Sequence, residues 1–199
     1  QILADHLRVL GPDHPHTLAA RNNLACTYRS AGRLDEAITL YEQILADHLR
    51  VLGPDHPHTL AARNNLACTY RSAGRLDEAI TLYEQILADH LRVLGPDHPH
   101  TLTSHNNLAY AYQEAGRVDE AITLYEEVLD DRTHILGPDH PDTLTSHNNL
   151  AYAYRSAGRL DEAITLYEQT LADRVRVLGP DHPDTLTSRN NLAYAYLAA

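Results

Sequence analysis

The 199 residues carry 27 acidic against 16 basic side chains, a net charge of −11, and every basic residue is Arg. An acidic chain without a basic stripe excludes a phosphate-reading nucleic-acid binder, and no apolar run is long enough to span a bilayer. Trp, Phe and Met are absent, so the apolar bulk is Leu, Ala, Ile, Val and 12 Tyr.

The phrase LGPDHP recurs at Leu10–Pro15, Leu52–Pro57, Leu94–Pro99, Leu136–Pro141 and Leu178–Pro183, always 42 residues apart. A fixed period of this size marks a repeat array, in which each unit packs mainly on its neighbours. The chain reads as a single array over 1–199. It comprises a partial unit 1–10, full repeats 11–52, 53–94, 95–136 and 137–178, and a half repeat 179–199. Residues 1–52 are identical to 43–94, beyond what packing demands, which points to recent tandem duplication or deliberate construction. Gln1 matches Gln43 and Ala199 matches Ala157, so both ends fall inside a repeat and the expectation is a piece of a longer protein.

Residues 1–10 repeat the end of a second helix, described below as helix B. Pro15 suits the first turn of helix A, where its missing N–H costs nothing. Leu18, Leu24, Ala25 and Tyr28 follow at helical spacing, and Gly32 stops the helix by taking a left-handed conformation. Helix A is predicted over about 15–31. Asp35 and Glu36 then favour the positive end of a second helix. Leu34, Ala37, Ile38, Tyr41, Leu45, Leu49 and Leu52 form its apolar stripe, and Gly53–Pro54 ends it. Helix B is predicted over about 34–52. The short A–B link makes the two antiparallel. The pattern repeats with no strand signal anywhere, so the fold class is all-α with about nine helices.

Leu24, Ala25, Tyr28, Ala37 and Tyr41, with their equivalents in each repeat, resemble the tetratricopeptide pattern W-x₂-L-G-x₂-Y…A-x₃-F. Arg21 or His105 stands where the Trp would be. The usual unit is about 34 residues. Here helix B runs about two turns further, and the phrases NNLA and LGPDHP are similar to the kinesin-light-chain subtype. The resemblance implies a right-handed α-solenoid superhelix of antiparallel helix pairs, with A helices lining a concave groove that binds a peptide or partner segment. It also implies a groove face that carries Asn22, Asn23, Cys26, Arg29 and Ser30 and their equivalents. The amide candidates are Asn22 and Asn23, Asn64 and Asn65, Asn106 and Asn107, Asn148 and Asn149, and Asn190 and Asn191. Each amide offers a donor and an acceptor to a peptide backbone, although one Asn of each pair could instead tie helix A to its neighbour. Tyr110, Tyr152 and Tyr194 are expected to line the C-terminal half, as aromatic anchors do in binding hot spots, where Cys26 and Cys68 stand earlier. Tyr28 and its equivalents fall on the family's core position. Carboxylate-clamp relatives place Lys or Arg one turn before the Asn; Ala19 and Ala20, or Thr103 and Ser104, stand there instead, which argues against that grip.

Repeat 95–136 has eight acids and two Arg, net −6, which would favour a basic or mixed-charge protein partner there, with a plain solvated acidic face as the alternative. Cys26 and Cys68 lie one period apart with no zinc spacing, and read as structural thiols of a cytoplasmic protein. The turns DHPH at 13–16, 55–58 and 97–100 raise the question of a metal. The intervening Pro and the change of His16 to Asp142 and Asp184 argue instead for a turn that caps helix A. No P-loop, HExxH or GxSxG occurs, so neither catalysis nor a cofactor is expected. Two alternatives to a peptide-binding scaffold stand beside it. One is the sensor region of a larger bacterial signal-transduction NTPase, which such repeats resemble. The other is a structural or engineered array that stacks head to tail through uncapped ends.

Overall fold

The computed structural model describes residues 2–199. Ten helices follow one another: α1 (Ile2–Leu10), α2 (Pro15–Ser30), α3 (Leu34–Leu52), α4 (Pro57–Ser72), α5 (Leu76–Leu94), α6 (Pro99–Glu114), α7 (Val118–Leu136), α8 (Pro141–Ser156), α9 (Leu160–Leu178) and α10 (Pro183–Ala198). One partial helix B, four A/B pairs and a last helix A make ten, one more than the sequence count. No strand occurs among the described residues. The even-numbered helices are the A helices, starting at the proline expected, and the odd-numbered ones are the B helices.

The LGPDHP phrase builds the B-to-A junction from five separate local effects. Gly53 has φ 87°, a region costly for residues with a Cβ, and its N–H reaches the carbonyl of His48. Asp13 accepts a bidentate ion pair from Arg50, at the far end of the same repeat's helix B. Nδ1 of His14 accepts the backbone N–H of His16 at 3.2 Å, so this histidine is the N-cap of α2. Pro15 follows at the first turn. Two residues on, in the next copy, the hydroxyl of Thr59 donates to the carbonyl of Gly53 at 2.7 Å and closes the turn. The His-Pro phrase is therefore a cap and turn, as its sequence suggests.

The A-to-B turn is a Schellman motif. The N–H of Arg33 reaches the carbonyl of Tyr28 at 2.9 Å and that of Gly32 reaches Arg29 at 3.0 Å. Arg33 then lies over the Tyr28 ring, 4.4 Å from its centroid, and chelates Glu36.

The chain divides into two compact units, one ending at Val93 and one from Leu94 to Ala199. In the first, α3 packs on α2 and α4. Ala25, Ala37, Ile38, Tyr41, Ile44, Leu66 and Ala67 are buried there. The two alanines of the first pair, Ala25 and Ala37, have no exposed surface and let the backbones of helices A and B approach closely. Burial of an Ile such as Ile44 stabilises by about 1.5–3 kcal/mol. In the second unit, Ala109, Ala121, Ile122, Tyr125, Leu150 and Ala153 form one cluster. Ala151, Ala163, Tyr167 and Ala195 form another. The fully buried tyrosines are Tyr41, Tyr83, Tyr125 and Tyr167, all on B helices. The family-position tyrosines of the A helices are less covered, and several reach back to the preceding repeat: Tyr70 donates to Glu42 at 2.6 Å and Tyr154 to Glu126 at 2.7 Å. Burial, reinforced by Glu42, pushes the Tyr70 phenol up to about 12.

Candidate functional site

The NN pair sits midway along each A helix, about one and a half turns before the tyrosine that binds the preceding helix B. The two asparagines differ in direction by about 100°, the turn per residue of an α-helix. Within each unit the second asparagine of one repeat faces the first asparagine of the repeat before. Asn65 Nδ2 donates to Asn22 Oδ1 at 3.1 Å, Asn149 to Asn106 at 2.9 Å and Asn191 to Asn148 at 2.8 Å. The sequence left open whether an Asn serves the groove or ties adjacent helices; in these three pairs both members take part in the tie. The tie does not exhaust them. A side-chain amide has two N–H donors and two lone pairs, so Asn22 keeps both donors and Asn65 keeps its carbonyl oxygen. Asn22, Asn64, Asn65, Asn106, Asn107, Asn148, Asn149 and Asn191 are half-buried, whereas Asn23 and Asn190 are exposed.

In the second unit Tyr110, Tyr152 and Tyr194 are exposed, by 39%, 41% and 61%. Arg155, one turn on from Tyr152, stacks over its ring at 4.8 Å. In the first unit the same position is cysteine, half-buried and free. Each thiol meets the hydroxyl of a buried helix-B tyrosine, Cys26 with Tyr41 at 2.9 Å and Cys68 with Tyr83 at 3.2 Å. Where Tyr152 replaces the cysteine, the hydroxyl of Tyr167 is fully buried and finds no partner among the described residues. Burial pushes that phenol up to about 12.

Between α2, α3 and α4 a cavity of about 630 Å³ opens beside the Asn22–Asn65 tie. His48, His56, His58, Ala62 and Leu18 also line it. His48 is nearly buried, and its Nδ1 lies 3.1 Å from the carbonyl of His58. Burial holds its imidazole below the ordinary range, against the bond to the His58 carbonyl, while the His58 and His56 rings add to the lowering. Nothing in a single repeat announces this cavity at His48, which falls inside a helix-B pattern. Comparing repeats does, because His48 becomes Arg132 and Arg174 at the matching positions. Arg174 is buried, and Nη1 donates to Asp184 O and Ser188 Oγ, both at 2.9 Å. No group of three or more His, Cys, Asp or Glu is arranged to hold a metal among the described residues. Nor is any of their helices long and apolar enough to cross a membrane.

A family model described as tetratricopeptide repeat matches residues 1–49, 27–89, 69–133, 101–174 and 147–199. The chain belongs to the tetratricopeptide repeat family. No curated protein matches this tetratricopeptide chain. Among solved structures it is similar to the nearly identical TPR-like repeats of a kinesin light chain-like protein from Podosopora anserina. The identity is 38% and the TM-score 0.80, over 93% of this chain and 88% of that one. A point-substituted form of that fungal protein gives 38% and 0.82, over 93% and 87%. BtubC (BKLC) from P. vanneervenii is 25% identical with a TM-score of 0.78, over 98% of this chain and 79% of that one. The 42-residue unit is thus a kinesin light chain-like form of the repeat, and the all-α solenoid of stacked helix pairs is that family's fold. Tetratricopeptide repeats generally serve as protein-interaction scaffolds.

Proposed function

We propose that this tetratricopeptide chain is a scaffold whose A helices hold a peptide segment of a partner protein. The observation that carries the reading is the asparagine tie. It fixes one amide of each repeat against the next, which removes rotamer freedom before any ligand arrives, while leaving donors and acceptors unused. Pre-oriented amides at one spacing per repeat suit a peptide backbone, whose own donors and acceptors recur regularly. Tyr110, Tyr152 and Tyr194 add exposed aromatic surface to the second unit, and the net −6 of residues 95–136 favours a basic or mixed-charge segment there.

A peptide library panned against the protein tests this, in parallel with a variant carrying Ala at Asn22, Asn106 and Asn148. These residues lend only an acceptor to the tie. Circular dichroism establishes that both are folded. Selected peptides should bind the parent and lose at least tenfold in the variant, about 1.4 kcal/mol or more. Equal binding by both folded proteins would refute the amide reading. Alanine at Tyr110, Tyr152 and Tyr194 should weaken the same peptides, and unchanged affinity would remove the aromatic part of the proposal.

A further inference from the structure

The cavity in the first unit and the buried arginine in the second occupy the same place in the repeat. Arg174 stands three repeats after His48, Asp184 after His58, Ser188 after Ala62 and Leu144 after Leu18. In the second unit the Arg174 guanidinium spreads over three acceptors: Asp184 O and Ser188 Oγ at 2.9 Å, and Leu144 O at 3.5 Å. Arg132 repeats the arrangement one period earlier, donating to Asp142 O at 3.2 Å and Ser146 Oγ at 2.9 Å. In the first unit the helix-B side chain is shortened to imidazole and the serine to alanine. The carbonyls of Leu18 and His58 hold the same positions in the repeat as their counterparts. Space for a planar, donor-rich group remains between α2, α3 and α4, in the cavity of about 630 Å³ that Leu18, His58 and Ala62 line.

We infer that this cavity is a receptor for a guanidinium group, the side chain of an arginine carried by the partner. His48 supplies what the missing serine would have given. Its Nδ1 faces a carbonyl oxygen, so that nitrogen carries the proton and Nε2 of the neutral ring is an acceptor. The carbonyl of His58 keeps a second lone pair. Asn22, on the rim, adds the second lone pair of its side-chain oxygen, whose first receives Asn65. Guanidinium selects itself over ammonium here because it presents several donors in one plane, matching acceptors that lie on different helices. The inference rests on the peptide-scaffold reading for its macromolecular partner and names one side chain of that partner.

Protonation of His48 would turn its acceptor into a repelling donor, so the site works with the ring neutral. The charged groups around it are already paired. Asp13, from the turn before α2, is tied to Arg50 of α3, and Arg21 of α2 to Asp47 of α3. Arg63 of α4 is tied to Asp89. That leaves the imidazoles of His58 on α4 and His56 at its cap as the remaining neighbours, and their rings lie 5.2 Å apart.

Titration of the intact chain with N-acetyl-arginine amide, followed by two-dimensional amide NMR at about pH 8, where imidazole is neutral, tests the site. N-acetyl-lysine amide is the control. Saturable shifts at Leu18, His58 and Ala62 with the arginine compound, and a response to lysine at least tenfold weaker, are the expected result. The shifts should weaken as the pH is lowered beyond the ordinary imidazole range and His48, whose burial delays its protonation, takes up a proton. The double variant H48R/A62S installs the residues of the second unit, so it should fold, fill its own cavity and lose the arginine response while its thermal midpoint holds or rises. No shifts at those residues, an equal response to lysine, or binding that survives in the double variant would overturn the inference. A library that selects peptides without preference for arginine leaves the scaffold reading standing and removes this one. Arginine amide binding with no peptide selected does the reverse.

Discussion

Four buried tyrosines at one repeat position give a test in which the sign of the effect is expected to change. Tyr41 and Tyr167 are both without exposed surface. Tyr41 shares a hydrogen bond with Cys26 at 2.9 Å, while Tyr167 has no partner for its hydroxyl among the described residues. Replacing either with Phe keeps the ring and its packing and removes one oxygen. At Tyr41 this should cost about 0.5–1.5 kcal/mol, the net worth of a neutral hydrogen bond. At Tyr167 it should relieve an unsatisfied buried hydroxyl, a penalty of about 1–3 kcal/mol. With a urea m value of about 2–3 kcal/mol/M, a gain of 1 kcal/mol raises the midpoint by roughly 0.3–0.5 M. A repeat array can unfold in parts, so amide hydrogen exchange of α9 for Y167F and of α3 for Y41F provides the local measure. Protection should rise in the first and fall in the second. If Y167F lowers the midpoint as much as Y41F does, the account of the cysteine-to-tyrosine exchange at position 152 is wrong.

The chain should lose stability in mild acid. Burial depresses the imidazoles of His48, His105 and His147, against the opposing charges of Asp47 for the first, Glu127 and Asp131 for the second and Asp173 for the third. The unfolded chain takes up these protons first, near pH 6.5, so the stability they allow is present above about that value and is lost as the pH falls through it. Denaturant midpoints level above about pH 7 and falling below about 6.5 are expected; a flat profile down to pH 5 contradicts it. H140A, which removes the N-cap of α8, should cost about 1 kcal/mol in urea unfolding, and H140N should recover most of it. S188A leaves the buried Arg174 guanidinium short of an acceptor and should cost about 1–3 kcal/mol. A loss below about 0.5 kcal/mol in the same assay would mean that the carbonyl of Asp184 suffices.

Local chemistry was the legible part of the sequence. Pro15, Gly32 and Gly53 act on the residues beside them, and the helix ends they mark differ from the expected ones by at most one residue. What was hidden depends on partners carried by another helix. The tie from Asn65 to Asn22 joins residues 43 apart and pairs like with like, so no charge or hydropathy contrast decided between the tie and the groove role that the sequence left open. The thiol–phenol contacts join positions 15 apart on two helices whose rotation the pattern does not set that finely. Arg174 falls inside a helix-B pattern, where nothing in its own repeat marks it as buried. Its burial becomes readable only when Asp184 is seen to change together with it, relative to His58 and His48, after the serine has entered one repeat earlier at Ser104 beside His90 and His100.

The asparagine ties span 43 residues, the bonds from Tyr70 and Tyr154 back to Glu42 and Glu126 span 28, and the closure of Asp13 by Arg50 spans 37. Each therefore ends in its own copy or the one beside it. Misaligned recombination that inserts or removes one 42-residue copy would recreate each of these bonds at the new joint. The gene can thus lengthen or shorten the protein in whole steps without passing through an unstable intermediate. The identity of residues 1–52 with 43–94 is what such a step leaves before substitutions, like those at Arg132 and Arg174, begin to distinguish the copies.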